Sequence, residues 1–316
     1  MQAFIALSRS RQILPWLTAA GLCLAVIWVF RVGIQRRPPP QSARPLSVRY
    51  AFTLKNTTAQ PERGVQFQVA APVSQTATQQ CRGIQCSRKF RLTRDRLGNQ
   101  TLQFDGLDFA PHAVHVIRVT AALQIFDVPR QSSPALSTPY LSSDRFISSR
   151  RAEICRLAAR LRGRRRGDTA GAVFAWVRAS IRYAGYRGDR RGALFTLRQR
   201  RGDCTDQADL FAALCRACRI PARCLAGYIC PQSTFLDPRG YHNWAEFYEE
   251  GRWRLADPQR GVLRRRPSPY IAVRIAESAC RRPASGLSGF RRYAVSSPAI
   301  AVRMNLTPAS GTRRAI

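Results

Sequence analysis

Three side chains in the second half of the chain have the types and order that thiol chemistry on a carbonyl requires: Cys204, His242 and Asp257. They lie in RRGDCTDQADLFAALCRACRIPARCLAGY and YHNWAEFYEEGRWRLADPQ. Amide chemistry by a cysteine needs a thiolate, a base that takes and returns its proton, and a group that orients the base. Gly202 lets the chain turn sharply, and Asp203 suits the N-cap of an amphipathic helix with Leu210, Phe211 and Leu214 inward. Asp206, three residues on, strengthens that start. Cys204 then falls in the first helical turn, where unpaired N–H groups and the helix dipole favour an anion and offer donors to an oxyanion. His242 precedes a segment of alternating character, and Asp257 closes the next one after a hairpin at Glu250-Gly251. Neighbouring antiparallel strands would bring imidazole and carboxylate together. Taken singly, a cysteine is more often inert than catalytic, and Asp257 before Pro258 also suits a plain turn. The joint pattern is what points to chemistry.

The elements that must hold these residues are legible around them. RAEICRLAARLR places Ile154, Leu157, Ala158 and Leu161 on one helical face, and TAGAVFAWVRASIRY does the same with Val173, Trp176, Val177 and Ile181. Strand patterns follow at Arg223–Cys230, Asn243–Tyr248 and Arg252–Ala256. Helices followed by an antiparallel sheet predict an α+β domain over 148–304. Upstream, residues 47–56, 64–71, 88–93, 101–105 and 114–125 read as short strands, with Val48, Tyr50, Phe52 and Leu54 alternating along the first. That spacing predicts a small β-sandwich over 47–126.

The N-terminus carries ILPWLTAAGLCLAVIWVF, residues 13–30, with no charge. Eighteen apolar residues just cross a hydrocarbon core of about 30 Å as a helix. The expectation is an uncleaved single-pass anchor over 1–37, then a stiff Pro-rich linker over 38–46, with the catalytic part periplasmic or otherwise extracytoplasmic. The chain of 316 residues has 52 Lys+Arg against 18 Asp+Glu, a formal charge of +34, and only Lys55 and Lys89 are lysines. Such a surface attracts anions. An anionic envelope surface is a candidate partner; no zinc finger, basic helix or RNA-binding signature accompanies the basic runs, so no specific nucleic acid is expected.

Nine cysteines lie beyond the apolar run; with Cys204 set aside an even number is left, which permits disulfides without specifying them. Cys81 and Cys86 are close enough in sequence for a local bridge. Acidic residues are too sparse for a calcium cage, and no metal or cofactor is expected.

From about 170 to 275 the chain resembles the transglutaminase-like core of papain-type thiol enzymes. The resemblance is carried by WVRASIRYAGY, by RRGDCTDQADLFAALCRA followed by IPAR and GY, and by HNWAEFYEEGRWRLADPQ. It implies Cys204 as nucleophile, His242 as general base and acid, and Asp257 as orienting carboxylate, with Tyr183 the side-chain candidate for an oxyanion donor. The segments SVRYAFTLKNTT and APVSQTATQQC are similar to the N-terminal region of bacterial envelope members. Where the family usually has glycine before IPAR, this chain has Cys218-Arg219-Ile220. A left-handed residue there costs arginine roughly 1–2 kcal/mol, so the helix end is expected to be altered. The expected activity is cleavage or transfer of peptide or isopeptide amides through a cysteine acyl-enzyme. The alternative is a catalytically inactive member of the same fold that docks on an anionic envelope component.

Overall fold

The computed structural model describes residues 43–134, 137–265, 269–276 and 287–305. The first part is two facing sheets built from β1 (Ala43–Asn56), β2 (Glu62–Ala71), β3 (Gln79–Cys86), β4 (Arg91–Arg94), β5 (Gln100–Phe109) and β6 (Val114–Phe126). One sheet runs along β1, β6 and β3, the other along β2, β5 and β4. Alternate residues point inward, as a period-two strand requires, so Phe52, Phe67, Phe104, Phe109 and Ile117 fill the space between the sheets.

Three expectations are corrected here. The linker ends earlier than 46: Ala43 and Pro45 already pair with Phe126 and Gln124 of β6, and among the described residues no strand pairs with Pro45 on the other edge, where a missing N–H costs nothing. The strand β3 was not expected; its sequence QQCRGIQC has Ile84 as its one large apolar residue and shows no period-two signal, yet it pairs with β6 along its length. Extended as they are, Cys81 and Cys86 stand opposite Leu123 and Val119, roughly 13–16 Å apart at ~3.3 Å per residue, far beyond disulfide reach.

The second part opens with α1 (Ala152–Leu161) and α2 (Arg166–Ser180), then a short parallel pair of β7 (Arg182–Tyr183) with β8 (Arg201–Gly202) around α3 (Ala193–Gln199). The central helix α4 (Cys204–Ala217) packs on a sheet of β9 (Ala222–Ile229), β11 (His242–Glu249), β12 (Arg252–Asp257), β13 (Val262–Leu263) and β14 (Tyr270–Ile275), ordered β13-β12-β11-β9-β14. Leu210, Phe211 and Leu214 are fully buried against it, and Phe211 meets Phe247 edge-on at 5.9 Å. The helix end is not altered. Arg219 takes φ +59°, Ile220 N–H donates to the Cys215 carbonyl and Arg219 N–H to the Arg216 carbonyl, each at 2.9 Å. That is a complete Schellman turn with arginine in the glycine position.

The two parts share elements. Within sequence read as the second domain, β10 (Thr234–Phe235) pairs with β1, β15 (Tyr293–Val295) extends the β2 sheet, and β16 (Ile300–Met304) pairs with β1 from Phe52 to Asn56. In return, two buried sandwich amides finish the open edge of β14. Gln79 bonds both N–H and C=O of Ala272, and Asn99 does the same for Ile275, all at 2.7–3.1 Å. Buried backbone groups are thereby satisfied without another strand. Among the described residues no helix is long and apolar enough to cross a membrane; the expected span 13–30 lies outside the described residues.

Candidate active site

The start of α4 is a capping box. The Asp203 carboxylate accepts the Asp206 N–H at 3.1 Å, and the Asp206 carboxylate accepts the Asp203 N–H at 3.0 Å. Asp203 also accepts the Arg187 N–H at 3.1 Å. Gly202 is not left-handed; a Cβ there would lie 2.5 Å from Cβ of Asp206, so the glycine serves close approach of the cap rather than a sharp turn. Behind the cap, Arg191 pairs with Asp206, and Arg190 Nε bonds Asp209 at 2.8 Å. Burial pushes the Asp206 carboxyl above its usual range, against the pull of the Asp203 N–H and Arg191. Cys204 is thus fixed in the first turn with its exposure down to 7%.

His242 begins β11, and Asp257 ends β12, two antiparallel neighbours joined by the turn at Glu250-Gly251. The pairing delivers what the spacing promised: imidazole Nε2 lies 2.7 Å from Asp257 Oδ2. Asp257 is fully buried and doubly anchored besides, taking the Tyr270 hydroxyl at 2.9 Å on Oδ2 and the Arg260 N–H at 3.1 Å on Oδ1. Burial lowers the His242 pKa, but hydrogen bonds to the Asp257 and Cys204 side chains, then their charges, outweigh it and push it up to about 9. With Nε2 engaged by Asp257, Nδ1 is the ring nitrogen left for another partner. The Trp244 ring lies nearly parallel to the imidazole, 6.3 Å away.

Tyr183 stands opposite Gly202 in the β7–β8 pair, with Ala184 N–H donating to the Gly202 carbonyl at 3.0 Å. Burial, then the charges of Cys204 and Asp203, push its phenol up. Of the residues singled out in the sequence, His242 and Asp257 are hydrogen-bonded, the Cys204 side chain bonds His242, and Tyr183 feels the charge of Cys204. Two others were missed. Asn243 Nδ2 donates to Thr205 Oγ1 at 2.7 Å, tying β11 to the first turn of α4; its place beside His242 was the available signal. Tyr270 gave none, because it arrives from β14 after a basic stretch unrelated to the motif. The other histidines are elsewhere: His115 stacks on Phe109 at 4.2 Å and His112 sits in a left-handed turn.

Residues 156–258 match the family model described as the transglutaminase-like superfamily. This stretch belongs to the transglutaminase-like superfamily. The transglutaminase-like part therefore includes α2, α4 and the strands that carry His242 and Asp257. Similar solved structures include a candidate cysteine protease from Cytophaga hutchinsonii, 17% identical, covering 84% of this chain and 92% of that one with a TM-score of 0.52. Another is the periplasmic domain of TgpA from Pseudomonas aeruginosa, 17% identical, covering 67% and 88% respectively with a TM-score of 0.38. The first supports the fold. A comparison with curated proteins gives no match.

Proposed function

We propose that the chain is a thiol enzyme that cleaves or transfers amide bonds in peptides or proteins through an acyl-enzyme on Cys204. The observation that carries this is the line of contacts from Cys204 through His242 to Asp257 and Tyr270. In the reaction, Cys204 Sγ attacks the amide carbonyl, and its electron pair forms the S–C bond as the carbonyl oxygen becomes an oxyanion. That oxyanion is received by the free backbone donors of the first turn of α4 and by the Tyr183 hydroxyl. Protonated His242 gives its Nδ1 proton to the departing amine as the C–N bond breaks. Water or a second amine then attacks the thioester, His242 takes its proton, the S–C bond breaks, and Cys204 leaves as the thiolate. Asp257 holds the imidazole in position throughout. The apolar run at 13–30 anchors the enzyme to a membrane with the catalytic part extracytoplasmic, where the positive surface meets anionic envelope components.

The test is incubation of the protein with a diverse peptide mixture containing a fluorescent primary amine, read by mass spectrometry. New peptide termini or amine incorporation, both lost in Cys204→Ala, support the reading. Identical product profiles for wild type and Cys204→Ala would contradict it.

A further inference from the structure

A cavity of about 520 Å³ lies where the sandwich meets the catalytic sheet, within the 300–1,000 Å³ range common for small-molecule sites. It is separate from the thiol. Its wall residue Arg223 stands opposite Glu246, four positions along β11 from His242 and so about 13 Å from it at ~3.3 Å per residue. Two kinds of surface line it. Tyr140 and Trp253 form an aromatic wall, packed edge-on at 5.3 Å. The Arg223 guanidinium lies 4.1 Å over Trp253, but Glu246 holds it at 2.7 and 2.9 Å, so its charge is already matched.

Arg96 and Arg130 also line the cavity, and neither forms an ion pair among the described residues. Arg130 is held in place by a bond to the Thr76 carbonyl at 3.2 Å and by stacking over Phe126 at 4.3 Å, and neither contact neutralises it. Burial, and after it the charge of Arg82, push its pKa down. Among the described residues that line the cavity there is no aspartate or glutamate. Planar guanidinium groups favour carboxylate and phosphate oxygens, while flat rings favour an unsaturated body.

We propose that this cavity is a second binding site, for a small organic oxyanion whose charged head pairs with Arg96 and Arg130 and whose flat apolar body lies against Tyr140 and Trp253. The reading of the thiol site neither requires it nor follows from it.

The photoreactive acid 4-benzoylbenzoate tests this on the full chain, with its uncharged methyl ester as control and peptide mapping as readout. Saturable labelling on peptides that contain Tyr140 or Trp253, about tenfold or more above that by the ester, is the expected result for charge-assisted recognition. Arg96→Gln with Arg130→Gln should cut acid labelling by a similar factor and leave Cys204 alkylation unchanged, which also reports that the variant is folded. Equal labelling by acid and ester in the wild type overturns the proposal, as does acid labelling that persists in the folded double variant. Should the double variant fail to fold, the acid-to-ester ratio in the wild type decides alone.

Discussion

Asp257 takes two side-chain donors on one oxygen, and its bond to His242 opposes the effect of burial on that imidazole. The imidazole is pushed up to about 9 from an ordinary value of 6.5, so it carries a proton at neutral pH. A histidine whose folded pKa exceeds its unfolded one stabilises the protein fully below the unfolded value and loses that contribution as pH rises through the folded one. The melting-temperature advantage of wild type over Asp257→Asn should therefore be greatest below 6.5 and shrink as pH climbs through about 9. Proton NMR of the imidazoles is a direct check, since the chain has only His112, His115 and His242. The titration of His242 should fall in Asp257→Asn, because burial, which opposes the charged form, is then less opposed. At this scale the sequence was informative where chemistry needs a residue type in a local frame, as at Cys204 and His242. It was silent about Tyr270, whose role arises only from strand order.

Elements were readable in proportion to their local signals. The capping box at Asp203 and Asp206 is written in four consecutive residues and formed as its spacing implies. The end of α4 misled, because a missing glycine suggested a changed terminus, whereas Arg219 itself takes the left-handed conformation and the turn closes with both of its hydrogen bonds. The fold bears that strain. Arg219→Gly should accordingly stabilise the protein by about 1 kcal/mol in urea unfolding, the cost of a Cβ in that conformation less the added entropy of the unfolded glycine. A destabilisation would show that the arginine side chain contributes more than its backbone costs. β3 escaped notice for the opposite reason. Its polar residues do structural work, with Gln79 serving the edge of β14 instead of an apolar core. Asn99, within an Asn-x-Thr triplet, is likewise buried and committed to Ile275.

On the scale of the whole molecule, the charge imbalance acquires a spatial meaning. Several of the few carboxylates face inward: Asp144, Asp206, Asp209 and Glu246 are all nearly buried and matched by Arg216, Arg191, Arg190 and Arg223. The exterior is left with most of the excess arginine. Binding of polyphosphate by the full chain should therefore be measurable at low ionic strength and fall steeply with added salt, as screening shortens the reach of surface charge. Salt-independent binding would point to a discrete site instead. The chain's long-range connectivity was the least visible feature. Pairings such as Phe52 with Met304 join residues from opposite ends of the described structure, and no local pattern encodes them. Composition and periodicity fix what kind of element forms, not which distant strand completes a sheet.

The most direct test of the thiol site is the rate of Cys204 alkylation by iodoacetamide, followed by peptide mapping from mildly acidic to alkaline pH. Wild type should label rapidly at neutral pH, and His242→Ala should be slower there by roughly tenfold or more, the two converging at alkaline pH. Equal rates in both proteins across the whole range would contradict a sulfur activated by its histidine.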